Sequence, residues 1–150
     1  MDQIHDPEIP VLSLNDLGIV RAIEVKSPPT DAGIIEVTIT ATYSGCPAMD
    51  WIANTIKMEL KAMGYQSITV KHSISPAWTT DWMSEQGKEK LKAYGIAPPE
   101  NRCGIPHDGI PGAQCKSEHA RLLSEFGSTS CKALLQCQDC GEPFDYFKCH

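Results

Sequence analysis

Residues 34–42 alternate without a break: Ile35, Val37, Ile39 and Ala41 fall on one side, Glu36, Thr38, Thr40 and Thr42 on the other. That is the period of a half-buried strand. Residues 18–25 form an earlier extended run. The stretch 26–33, with Pro28, Pro29, Asp31 and Gly33, reads as the loop that folds the two into an antiparallel pair. Past Pro47 the period changes. Met49, Ile52, Ala53, Ile56, Leu60 and Met63 lie on one helical face, and Gly64 closes the helix. Residues 67–73, with Ile68, Val70 and His72 set against Thr69 and Lys71, predict a third strand. Residues 84–94 predict a shorter, charged helix that opens on a Ser84 cap and ends at Gly95. The order is β-β-α-β-α.

The pattern then breaks. Residues 96–112 carry Pro98, Pro99, Pro106 and Pro111 together with Gly104, Gly109 and Gly112, the composition of a linker. Beyond it, 121–125 and 130–135 have room for short strands, and the tail ends in the aromatic run Phe144-Asp145-Tyr146-Phe147. The expected class is α+β: a domain over 1–95, a linker over 96–112 and a small module over 113–150.

Composition narrows the setting. With 41% hydrophobic and 21% charged residues the chain has the make-up of a globular protein, and no apolar run approaches the roughly 18 residues of a membrane span. Thirteen basic residues against nineteen acidic give a net charge of −6, which disfavours binding to a phosphate backbone, so neither membrane nor nucleic acid is an expected partner. The first residues lack the basic start and apolar stretch of a secretory signal, and the cytoplasm is the expected compartment. Of seven cysteines, all but Cys46 lie between residues 103 and 149. In a reducing compartment that clustering favours metal ligation over disulfides.

Cys46 joins the clearest strand to the clearest helix. Proline favours the first helical position, so Cys46 is expected at or beside the N-cap, where unpaired N–H groups and the helix dipole stabilise an anion. A thiol there should ionise more easily than a free one, which suits metal ligation, sulfur or metal transfer, or nucleophilic attack. It also fits a small buried residue in a tight turn. For nucleophilic catalysis a base is missing nearby in sequence, and His5 or His72 would have to approach in the fold. Asp6, Glu8 and Asp16 either cap their own turns, the favoured reading, or reach the Cys46 turn as partners. The run 75–83, with Trp78, Trp82 and Met83, is expected to cover the core rather than form a protein-binding surface.

In the tail, Cys137 and Cys140 form a C-x2-C turn able to direct two sulfurs and several N–H groups at one ion. Cys115 suits the facing knuckle, but Gly112 stands where its mate belongs. The fourth ligand stays open: Cys103 is favoured, with His107, His119, Cys131 and Cys149 as alternatives. A tail of reduced thiols without metal is the less favoured alternative.

Two sets of strings carry a resemblance. Asp6-Pro7-Glu8-Ile9-Pro10, Asp16-Leu17-Gly18 and Tyr43-Ser44-Gly45-Cys46-Pro47-Ala48 resemble the SufT-like family of iron–sulfur assembly proteins. Pro76-Ala77-Trp78-Thr79-Thr80-Asp81-Trp82-Met83, Glu125-Phe126-Gly127-Ser128-Thr129, Cys131-Lys132-Ala133-Leu134 and the stretch 142–149 are similar to the PaaD family of phenylacetate-degradation accessory proteins, over nearly the whole chain. The resemblance implies a small SufT-like domain with a C-terminal zinc-ribbon-like module. It further implies a role in maturing metal centres of the oxygenase system that converts phenylacetyl-CoA to its 1,2-epoxide, above all the iron–sulfur cluster of its reductase. Cys46 matches the family's reactive or cluster-binding cysteine, with Asp6, Glu8, Asp16 and Ser44 as supporting residues. Cys103, Cys115, Cys137 and Cys140 are the expected zinc ligands. The chain departs from the family in its very short lead to Asp6-Pro7-Glu8 and in the single Cys115 of its first knuckle.

The expectation is therefore a non-enzymatic assembly factor that binds a transient iron–sulfur cluster or iron at Cys46. Because one thiolate cannot hold a cluster, a homodimer is expected to share it, with the zinc tail docking the reductase or oxygenase client. The alternatives are a structural subunit of the oxygenase complex and, with least support, a thiol enzyme acting on a thioester.

Overall fold

Strand β2 (Ile34–Thr40) is the centre of the first sheet. Ile35, Val37 and Ile39 are buried, as the alternation requires. Strand β1 (Val20–Ser27) pairs with it antiparallel, running two residues further than expected, with register shifts at both ends. Helix α1 (Ala48–Ala62) crosses back so that β3 (Ser67–Ser73) joins β2 in parallel, in unbroken register from Ile34↔Ser67 to Thr40↔Ser73. The helix buries Ile52, Ile56 and Leu60 among others, and the chain leaves it at Gly64 through Tyr65 N–H→Leu60 O, 3.2 Å. On the outer sheet face Glu36 takes Lys71 at 2.6 Å and Lys26 at 3.1 Å, which hold its carboxyl below the usual range.

The rest of this core comes from a segment with no helix or strand. Ile4, Ile9, Leu12, Leu14, Leu17 and Ile19 are all buried in a succession of turns. Trp78 closes over them. Its ring is buried, and Nε1 donates to Leu17 O at 2.9 Å, so the tryptophan covers the core as its sequence context predicts; Met83 is buried too. Trp78→Phe keeps most of the apolar area but strands a buried carbonyl. It should cost about 1–2 kcal/mol, read as a lowered denaturant midpoint with unchanged slope.

The computed structural model describes residues 1–99, 110–111, 115 and 117–148. Cys103, His107, Gly112 and Cys149 lie outside the described residues. The chain divides into two compact units, Met1–Trp78 and Thr79–His150. The second contains α2 (Glu85–Tyr94), with Ser84 Oγ accepting from Gly87 N–H as the expected cap, and a four-stranded sheet in the order β4-β7-β6-β5. These strands are β4 (Ile96–Ala97), β5 (Ala120–Ser124), β6 (Lys132–Cys137) and β7 (Pro143–Phe147). Two of them correct the sequence pattern: Ile96–Ala97 pairs in parallel with β7, and the aromatic run is itself a strand, antiparallel to β6. Around Leu135, Ala133, Tyr146 and Ile110 this sheet has its own core. Among the described residues no helix is long and apolar enough to cross a membrane.

Candidate functional site

The β6–β7 hairpin builds the first site. At its tip Cys137 N–H donates to Glu142 O at 2.9 Å and Gly141 N–H to Cys137 O at 3.0 Å. Gly141 has φ +78°, which a side chain resists, so the turn needs glycine there. Cys137 and Cys140 face each other across this turn, and Cys115 arrives beside them, its sulfur 3.3 Å from that of Cys137. All three sulfurs lie within 4.8 Å of one another. Sulfurs around a tetrahedral zinc stand about 3.8 Å apart, so the donor set fits zinc by chemistry and by spacing.

The sulfurs are also electronically prepared. Cys137 is lowered to about 7, chiefly by the Cys140 N–H and then by the Cys115 thiol. Cys115 moves the other way: the Ser117 N–H favours its thiolate, but the Cys137 and Cys140 sulfurs and burial outweigh it. Like charges this close give up their protons one after the other. A metal ion removes the conflict, since it binds the thiolates themselves.

Two of the alternative fourth ligands stand apart from this group. Cys131 precedes the far end of β6, about 20 Å of strand from Cys137, buried and 3.0 Å from Thr129 Oγ1. His119 turns Nδ1 onto Asp139 Oδ2 at 3.1 Å instead.

The second site is the turn between β2 and α1. Gly45, at φ +78°, reverses the chain ahead of Cys46, and Pro47 occupies the N-cap, one place earlier than expected. Cys46 is half-buried and unbonded to other cysteines. The Tyr43 hydroxyl and the Ala48 N–H donate to its sulfur, as a helix N-terminus should provide. The net result nevertheless reverses the expectation of an easily ionised thiol. Burial pushes the Cys46 thiol up, and the nearby Glu8 and Asp6 carboxylates add to it. His5, one of the two histidines that could have approached as a base, has its Nδ1 2.9 Å from Pro10 O.

The supporting carboxylates divide. Asp6 Oδ1 accepts from Glu8 N–H and Ile9 N–H, both at 2.8 Å, so it caps its own turn while its charge reaches Cys46. Buried Asp16 accepts from the N–H and hydroxyl of Ser13 and shapes the 13–16 turn. Ser44 is exposed on the turn. Tyr43 is the partner that sequence reasoning missed, although it stands in the same motif. Among the described residues Cys46, Asp6 and Glu8 do not close into a set of three metal donors, unlike the tail.

These two thiol environments predict opposite reactivity. In metal-free protein treated with iodoacetamide and mapped by peptide mass spectrometry, the tail knuckle, with exposed Cys115 and Cys140 beside the lowered Cys137 thiol, should label ahead of Cys46 near pH 7. Cys46 should label slowly, its rate still rising above the pH at which an ordinary thiol levels off. Added zinc should protect the knuckle and leave Cys46 unchanged.

Comparison with known proteins follows the same division. Residues 1–71 match the iron–sulfur cluster assembly protein family, and residues 98–148 match the PaaD zinc beta ribbon domain. The chain is 44% identical, over 99% of its length and 88% of the other's, to a protein of Escherichia coli strain K12 provisionally named as a component of 1,2-phenylacetyl-CoA epoxidase. The chain belongs to the PaaD family. Over 59% of its length, and 80% of the other's, it is 33% identical to an Fe-S protein maturation auxiliary factor of Porphyromonas gingivalis. A solved DUF59 domain of unknown function from Bacillus anthracis superposes with a TM-score of 0.53, at 25% identity, over 60% of this chain and 82% of that one. The PaaD zinc ribbon thus falls on Cys115, Cys137 and Cys140, and the assembly family on Asp6, Glu8, Asp16 and Cys46.

Proposed function

We propose that this protein is an accessory maturation factor of the phenylacetyl-CoA epoxidase system, handing an iron–sulfur cluster or iron to the reductase or oxygenase component. The observation that carries this reading is the contrast between the two thiol sites. The tail presents three converging sulfurs, suited to a resident structural ion. Cys46 presents one partly open thiol that burial and carboxylates keep protonated, suited to a cargo that must leave again. Taking up the cargo displaces the Cys46 proton to solvent, and release returns it, with no change of oxidation state at the sulfur.

A cluster needs about four protein or external thiolates, so a single Cys46 holds one only with a second copy or with small thiols. A homodimer is accordingly part of the proposal. Cys103 is proposed as the fourth zinc ligand, the protein is placed in the cytoplasm, and no catalytic residue is assigned. The proposed functional division keeps 1–95 as the assembly domain and 113–150 as the zinc module, with 96–112 between them.

The test is transfer. Anaerobically loaded protein is mixed with the metal-free reductase, and the reductase is re-isolated for iron, sulfide and activity. Loaded wild type should restore the reductase, and Cys46→Ser should not. Full restoration by Cys46→Ser would sink the proposal. Stable, stoichiometric co-purification with the active oxygenase, with no effect of Cys46→Ser on its metal content, would instead favour a structural subunit.

A further inference from the structure

Between the two cysteines of the knuckle, Asp139 does something that neither sulfur requires. Its Oδ2 accepts from the Ser117 hydroxyl and meets His119 Nδ1 at 3.1 Å. The backbone N–H of His119 donates to Ser117 Oγ at 3.1 Å, which ties the three residues into a small local network. Ser117 and His119 hold the Asp139 carboxyl below the usual range, the serine more strongly.

The topology shows why this network matters. Cys115 is the one sulfur of the three that does not belong to the β6–β7 hairpin. It comes from the segment that leads into β5, and the β5–β6 ladder begins only at Ala120↔Cys137, followed outward by Gln138 N–H→His119 O at 2.7 Å. Past that bond the described contacts tying this lead to the knuckle are those of Asp139 and the Cys115 sulfur itself. Ser117 stands two residues along the chain from Cys115, and its hydroxyl is held by Asp139. The chain Asp139–Ser117–Cys115 therefore sets where the third sulfur stands relative to the other two.

We infer that Asp139 is a positioning residue of the metal centre, acting through Ser117 on Cys115, and that His119 orients the Asp139 carboxylate without ligating the ion. This rests on the reading of the tail as a zinc site. The bland alternative is an exposed polar network, since His119 and Asp139 are 75% and 54% open. Such networks contribute little stability. What separates the two is metal retention, because groups that orient ligands commonly govern affinity by about 10–100-fold.

The experiment measures zinc content and then zinc release into excess chelator from the full chain. Wild type, Asp139→Ala, Ser117→Ala, Ser117→Thr and His119→Ala should all purify with about one zinc per chain. Release should be about tenfold or more faster in Asp139→Ala and Ser117→Ala, and near wild type in Ser117→Thr, which keeps the hydroxyl. The double variant Asp139→Ala with Ser117→Ala should release no faster than Asp139→Ala alone. Cobalt substitution gives a second readout: His119→Ala should leave the ligand-field bands in place, whereas loss of a nitrogen ligand would shift them. Equal release from wild type and Asp139→Ala, additive effects in the double variant, or a shifted cobalt spectrum in His119→Ala would each overturn the inference while leaving the zinc site standing. Wild type that binds no zinc would overturn the site and the inference together.

Discussion

Cys137→Ser should empty the tail of zinc and loosen it, taking metal content from about one ion per chain to less than a tenth of that. Cys137 ends β6, is buried, and has its thiol lowered to about 7 by the Cys140 N–H and the Cys115 thiol. Removing it leaves Cys115 and Cys140, both exposed, on opposite sides of a gap that a serine oxygen fills poorly for a thiophilic ion. Without the ion, the described contacts that fasten the lead into β5 to the knuckle come down to the Asp139 network and one backbone bond, so protease cleavage should appear around residues 113–119. The first unit has its own core and should be untouched. Cys46→Ser is the matching control: zinc content and the cleavage pattern should equal those of wild type. Full zinc content in Cys137→Ser would contradict the assignment of the three sulfurs.

Asp145→Ala should be the most damaging substitution away from any sulfur. Lys132 is almost wholly buried, and its ammonium lies 3.5 Å from Asp145 Oδ2. Asp145 also accepts from Ser128 Oγ at 3.0 Å, while Gly127 leaves no room for a Cβ, which would sit 2.5 Å from Asp145 Oδ1. The carboxylate is thus the point on which the 127–132 turn and the lysine converge. Removing it leaves a buried ammonium without its partner, which costs on the order of 3 kcal/mol, toward the lower end of such losses because Asp145 is about a fifth open to solvent. The unfolding midpoint of the second unit should fall by roughly 10 °C or more. Lys132→Met with Asp145→Leu should recover most of the loss, since both charges then leave together. A midpoint within 2 °C of wild type in Asp145→Ala, by this same rough scale, would contradict the account.

The sequence made some of this visible and concealed the rest for physical reasons. Residues 34–40 and 48–62 declared themselves because each buries one face and a regular period follows. The strand at 67–73 and the Ser84 cap were legible on the same terms. The core segment around Ile4, Ile9, Leu12 and Leu14 has no period, because turns bring its apolar residues inward one at a time. The β7 strand was hidden by its composition: Phe144, Tyr146 and Phe147 are buried while Asp145 is held by Lys132, so the run does not alternate cleanly. Lys132 itself would be placed on the surface by any pattern, and only the pairing of β6 with β7 supplies its partner.

At the sites, residue types were legible and environments were not. The three tail sulfurs followed from C-x2-C spacing and the isolated Cys115. Asp139 stood inside that spacing, but its grip on Ser117 depends on where β5 pairs with β6. For Cys46 the helix N-terminus was foreseen, with a donated N–H as expected. Its effect was outweighed by burial and by two carboxylates brought in from a distant turn, which a local motif cannot reveal.

The central claim is that Cys46 carries iron cargo while the tail keeps zinc. Anaerobic reconstitution of wild type and Cys46→Ser with iron and sulfide, followed by quantification of iron, sulfide and zinc on the re-isolated chain, tests it most directly. Wild type should gain iron and sulfide, Cys46→Ser should gain neither, and both should retain about one zinc per chain. Equal iron uptake by Cys46→Ser, or zinc lost with that single change, would contradict it.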